Sequence, residues 1–126
     1  MDRPRAALVA TTLDAPDPRA LAAFYRHLLG WDVVADSPEW VSIAPPGGGH
    51  RLSFQAEARH VRPVWPAAEG GPQMQLHLEV EVDDLAAAGA HAEVAGAVLA
   101  GSQPQTDVRV YLDPAGHPFC LFLPGS

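Results

Sequence analysis

Three side chains with usable chemistry head the sequence: His77, Glu79 and Cys120. The stretch from Met74 to Val82 alternates. Met74, Leu76, Leu78, Val80 and Val82 fall on one face, and Gln75, His77, Glu79 and Glu81 on the other. A period of two is that of a half-buried strand. It puts Glu79 about 7 Å from His77 on the same face, where a carboxylate and an imidazole can share acid/base work. Glu79 and Glu81 also read as an ordinary solvated strand face. Cys120 offers a thiol for which His77 would be the base. Lying between Phe119 and Leu121, it reads first as a small core residue, the common place for a free cysteine.

The elements that must position these groups come in two similar sets. Residues 8–13 read as a strand. Asp17 and Pro18 then open a helix, Asp as N-cap and Pro in the first turn. Leu21, Phe24, Tyr25, Leu28 and Leu29 make one apolar helical stripe, and Gly30 ends it. Residues 31–34, 40–44 and 51–55 read as strands, with Pro45 to Gly49 as a hairpin loop. A Pro-rich connector holds Pro63, Trp65, Pro66 and Pro72. After the 74–82 strand, Asp83 and Asp84 cap an Ala-rich helix over 85–95. Strands follow at 97–100, 108–112 and 118–123, and Asp113 to Gly116 reads as a type I turn.

This is an internal repeat. Asp17 and Asp84 stand 67 positions apart, as do Leu13 and Val80, His50 and His117, and Phe54 and Leu121. Each set reads β-α-β-β-β. The expectation is an α+β fold of two such modules in a single domain. The first spans about 6–56, the connector 57–73 and the second about 74–124.

Composition narrows the classes. The 126 residues carry a net charge of −7, and 48% are hydrophobic. A chain of this size buries about two-thirds of its unfolded surface and needs no metal or disulfide to fold. All eight basic residues are Arg, and they are scattered. That argues against nucleic acid, whose binding rests on clustered positive charge. No run approaches the ~20 apolar residues of a membrane span, so a cytoplasmic location is expected. With one cysteine, Cys120, neither an internal disulfide nor a multi-Cys zinc site can form.

Residues 13–25 (LDAPDPRALAAFY), Leu29-Gly30-Trp31, residues 77–85 (HLEVEVDDL) and residues 111–122 (YLDPAGHPFCLF) together resemble the vicinal oxygen chelate superfamily. That group includes glyoxalase I, bleomycin-resistance proteins, fosfomycin-resistance enzymes and ring-cleaving dioxygenases. The resemblance covers nearly the whole chain. It implies a U-shaped mixed sheet around a cleft, with helices on the outer face. It also implies four metal-ligand positions, here Ala10, Ser53, His77 and Cys120. The family pattern has His or Gln and Glu at such positions. Ala10 has no donor atom and Ser53 is a poor one, so no metal and no other cofactor is expected.

Strand parity on that frame predicts the residues lining the cleft. They are Trp40 and Ser42; Arg51, Ser53 and Gln55; Gln75, His77 and Glu79; Arg109 and Tyr111; and Cys120 and Phe122. Val108, Val110 and Leu112 go to the core, and Trp65 forms a wall or lid. The aromatic members suit a flat or apolar ligand. The expected function is metal-independent binding of a hydrophobic or aromatic small molecule. The alternatives are a metal-free acid/base enzyme using His77 and Glu79, a metal-dependent lyase or dioxygenase drawing further ligands from outside the four positions, such as Glu79 or a residue of another chain, and an assembly module. A homodimer is expected because an open sheet has edges to cover.

Overall fold

In both halves an aspartate turns an extended chain into a helix. Asp17 Oδ1 accepts from the amides of Arg19 at 3.0 Å and Ala20 at 3.3 Å. Asp84 Oδ1 accepts from Ala87 N at 3.0 Å. Each bond satisfies an amide that the helix leaves free. The computed structural model describes residues 3–125, which divide into two compact units, one ending at Glu57 and the other beginning at Ala58.

The first unit contains β1 (Ala10–Ala15), α1 (Pro18–Leu29), β2 (Asp32–Ser37), β3 (Trp40–Ala44) and β4 (Arg51–Ala56). The second contains β5 (Leu78–Glu81), α2 (Leu85–Val94), β6 (Val98–Leu99), β7 (Val108–Leu112) and β8 (Pro118–Phe122). The sheets have equivalent orders, β1-β4-β3-β2 and β5-β8-β7-β6. In each, the first strand pairs parallel with the last and the other pairs are antiparallel. The expected α+β fold of two βαβββ modules is what the chain adopts.

In the first unit the α1 stripe packs on one face of its sheet. Tyr25 stacks on Phe54 with centroids 5.7 Å apart and meets Phe24 edge-on at 4.8 Å. Leu21, Val41, Ile43 and Leu52 complete this core, each worth about 1.5–3 kcal/mol of transfer free energy. A bulge at Val34 shifts the β2 register, so that Asp36 comes opposite Val41. Its carboxylate thereby reaches Arg19 Nε of α1 at 2.8 Å.

In the second unit Tyr111 stacks on Phe119 at 6.0 Å, and its hydroxyl donates to Glu93 Oε2 of α2 at 3.1 Å. Burial and then the Glu93 bond push the phenol pKa up. Gly89 is required for this approach, because a Cβ there would meet the Tyr111 oxygen.

Two expectations are corrected. The first concerns Arg109 and Tyr111. Both lie on the α2 side of their sheet, while Val108 and Val110 take the opposite side with Cys120. Tyr111 pairs with Phe119 and Val110 with Cys120, whereas in the first unit Ser42 pairs with Ser53. The offset between halves is 67 at Ser53 and Cys120 but 68 at Ser42 and Val110. The cause is hairpin length. Residues 45–50 join β3 to β4, and only 113–117 join β7 to β8. One residue fewer turns every β7 side chain over.

The second concerns the strand expected over 74–82, which forms only as Leu78–Glu81. Gln75, Leu76 and His77 precede it, and Leu76 is 48% exposed rather than buried. Alternation marked the face correctly from Leu78 to Val82 but not where ladder pairing with β8 begins. The other boundaries move less: β1 begins at Ala10 and β2 extends to Ser37.

Candidate functional site

Strand β8 carries Cys120 between β5 and β7, opposite Glu79 on one side and Val110 on the other. Two residues before Glu79, just ahead of β5, His77 returns to the same side. His77 Nε2 lies 3.7 Å from Glu79 Oε1. One donor atom each from His77, Glu79 and Cys120 lies within 4.8 Å of the others. Burial, and then the Glu79 carboxylate, raise the Cys120 pKa above its ordinary value. A raised pKa leaves less of the thiolate, the nucleophilic form, at neutral pH.

These three groups end a hollow of about 150 Å³, otherwise lined by Trp65, Met74, Pro104, Gln105, Val108, Val110 and Pro118. A second hollow, of about 190 Å³, shares Glu79, Gln105 and Val108 with the first and adds Asp107 and Phe122. The walls are set by two loops. Gln103 stitches one of them to β7. Its Nε2 donates to the carbonyls of Ala100 and Val110 at 2.9 Å, and its Oε1 accepts from Val110 N at 2.9 Å. The other precedes Trp65 and is fastened to the 113–117 turn. There His60 Nε2 donates to Ala115 O and Arg62 Nη1 to Pro114 O, both at 2.8 Å. The turn itself is tight. Gly116 sits at φ 88, and an added Cβ would meet Arg62 Nε at 2.9 Å.

Of the residues expected in the second half, His77, Glu79, Trp65, Cys120 and Phe122 line the two hollows. Gln75, Arg109 and Tyr111 do not. In the first unit Trp40, Ser42, Arg51, Ser53 and Gln55 share the face opposite α1. There Ser42 and Ser53 are buried, with their hydroxyl oxygens 2.8 Å apart, and Trp40 Nε1 donates to Ser42 Oγ at 3.0 Å. Gln55 Nε2 donates to Asp14 Oδ1 at 3.1 Å. Sequence reasoning missed Met74, Pro104, Gln105, Asp107, Val108, Val110 and Pro118. The unequal hairpins were countable in advance for the two valines. Pro118 opens β8, and the rest lie in loops, whose placement periodicity does not address.

The four ligand positions implied by the family pattern do not hold its ion. Ala10 offers a methyl group, and the Ser53 hydroxyl is buried and engaged by Ser42. His77 and Cys120 remain, fewer than the three protein ligands a catalytic zinc usually keeps.

The glyoxalase-like domain family matches residues 10–122. No curated protein matches the chain. Among solved structures it is similar to a glyoxalase/bleomycin resistance protein/dioxygenase family enzyme from Burkholderia phytofirmans PsJN. That match has TM-score 0.69 and 19% identity, and covers 94% of this chain and 98% of that one. It is also similar to an antibiotic binding protein from Streptomyces sp. CB03234, at TM-score 0.64 and 21% identity over 98% and 100% of the two chains. A third likeness is to a lactoylglutathione lyase from Agrobacterium tumefaciens, at TM-score 0.62 and 20% identity over 97% and 96%. At such identities the likeness is one of fold, which hosts many chemistries. Together with the family match across almost the whole sequence, it establishes that the chain belongs to the glyoxalase-like domain family, within the vicinal oxygen chelate superfamily.

Proposed function

We propose that this protein binds a small aromatic or apolar molecule against Trp65, and that this binding needs no metal ion. The observation that carries the reading is the hollow of about 150 Å³, with an apolar wall of Trp65, Met74, Val108 and Val110 and a polar end of His77, Glu79 and Cys120. That volume suits a single ring. The adjoining hollow of about 190 Å³ brings the total toward the lower end of ordinary small-molecule sites, roughly 300 Å³. Glu79 and Asp107 line the second hollow, so a neutral or amine-bearing ligand is favoured over an anionic one. The fold likeness to an antibiotic binding protein is in keeping with this use.

The test is a thermal-shift and tryptophan-quenching screen of aromatic amines and polycyclic compounds, run in chelator. Stabilisation that disappears with Trp65→Ala supports the reading. Failure of every compound to stabilise the chain or quench it rejects binding at Trp65.

The 3.7 Å approach of His77 to Glu79 favours a second reading, a metal-free isomerase or lyase in which the pair moves a proton. His77→Ala would then abolish turnover while binding persists; an unchanged rate would dismiss it. We also propose that two copies pair. The edge strands β2 and β6 leave Val33, Val34, Val98 and Leu99 exposed, and light scattering at micromolar concentration would give twice the chain mass. A monomer there would reject it.

A further inference from the structure

We propose that His77, Glu79 and Cys120 form a site for a thiophilic divalent cation of the zinc type. It is built wholly within the second unit, keeps His77 and Cys120 of the four positions of the family pattern, and takes Glu79 in place of Ala10 and Ser53. Among the described residues these are the only three of their kind whose donor atoms come within 4.8 Å of one another. A tetrahedral zinc, with bonds of about 2.0–2.3 Å, holds its donors roughly 3.5 Å apart. Closing the gap takes about an ångström of side-chain rotation.

The two groups that must move have room to do so. The His77 side chain is 37% exposed and that of Glu79 is 61% exposed. The two strand-borne groups, Glu79 and Cys120, are cross-strand partners, so the sheet fixes their spacing. His77 precedes the ladder and adjusts to them. Glu79 is the donor that the family pattern does not supply. It completes a set of one imidazole nitrogen, one carboxylate oxygen and one thiolate sulfur.

Three protein ligands leave a fourth position, and here it opens on the hollow walled by Trp65 and Met74. The sulfur sets the selectivity. A thiolate and an imidazole prefer zinc to magnesium, calcium or manganese, which take oxygen donors. Binding forms one metal–sulfur bond and releases the thiol proton to solvent; no oxidant or reductant is involved. The ion does not require the apolar occupant, and the occupant does not require the ion.

The test uses untagged, chelator-stripped full-length protein titrated with Co²⁺ and then with Zn²⁺. One equivalent of cobalt should bind and produce a near-ultraviolet sulfur-to-metal charge-transfer band, which zinc should abolish by displacement. Cys120→Ser should lose the band. Glu79→Gln, at an exposed position, should keep the band with at least tenfold weaker affinity. Failure to bind one equivalent, binding without the band, or unchanged affinity in Glu79→Gln would each overturn the site. The ligand screen in chelator keeps the two proposals separate. A chain that takes up ligand but no cobalt refutes the cation site alone, and one that takes up cobalt but no ligand refutes the binding pocket alone.

Discussion

Gln103 bonds Val110 twice, donating to its carbonyl and accepting from its amide, both at 2.9 Å. A side chain thus continues the edge of β7 where β6 has ended, and it anchors the loop that carries Pro104, Gln105 and Asp107 to the hollows. Gln103→Ala removes these two bonds and the one to Ala100. At about 0.5–1.5 kcal/mol per bond, the expected loss over the three bonds is roughly 1.5–4.5 kcal/mol. Urea unfolding should show it, and any ligand bound against Trp65 should weaken by at least tenfold. A variant of unchanged stability would mean that the loop holds without the glutamine.

Gly89 and Tyr111 make a second pair. An Ala in mid-helix is ordinarily favoured over Gly by about 1 kcal/mol, yet Gly89→Ala should destabilise by a net ~1–3 kcal/mol, because its Cβ meets the phenol oxygen. The double variant with Tyr111→Phe removes that oxygen and should recover part of the loss. A stabilising Gly89→Ala would show that the ring shifts without cost.

The Cys120 thiol should be slow to alkylate at pH 8, because burial and then Glu79 raise its pKa. Glu79→Gln removes one cause and should move the alkylation midpoint down, though burial keeps it above an ordinary thiol. The linkage has a definite sign. A group with a raised folded pKa contributes stability that is fully present below its unfolded pKa and is lost as pH rises through the folded one. Wild-type stability in chelator should therefore fall from about pH 8.5 upward, and Cys120→Ser should fall less steeply. Parallel curves would contradict the shift.

Ser42 and Ser53 hold each other and the Trp40 indole in the first unit. Ser42→Ala takes a partner from both the Ser53 hydroxyl and Trp40 Nε1. It should cost about 1–3 kcal/mol and alter tryptophan emission as the indole turns to water. Ser53→Ala leaves the indole bond in place and should cost less, with emission unchanged. The reverse order would mean that the indole bond contributes little.

The fold was legible because its signals are local and repeated. Asp17 and Asp84 carry the same capping chemistry, and the α1 stripe meets a strand whose alternation is complete. The site was legible only in part. His77, Glu79 and Cys120 could be named from type and spacing, and their faces followed from a period of two. Arg109 and Tyr111 were misplaced because apolarity was equated with burial under the helix. In β7 the valines line a hollow, and the amphipathic tyrosine packs beneath α2 with its hydroxyl satisfied by Glu93. Gln103 left no trace in periodicity, since its role depends on where β6 stops.

The shorter hairpin at 113–117 has a consequence for how such a duplicated chain can change. Both halves have the same strand order and the same capping acids. A span of backbone shorter by one residue nevertheless decides whether the third strand offers Ser42 or Val110 beside the fourth. Divergence of the two halves is thus partly a matter of counting rather than of chemistry. Libraries that vary the length of that turn would exchange the whole inner lining of β7 in one step, from Val108 and Val110 to Arg109 and Tyr111, a change that point substitution could reach only through several unfavourable intermediates.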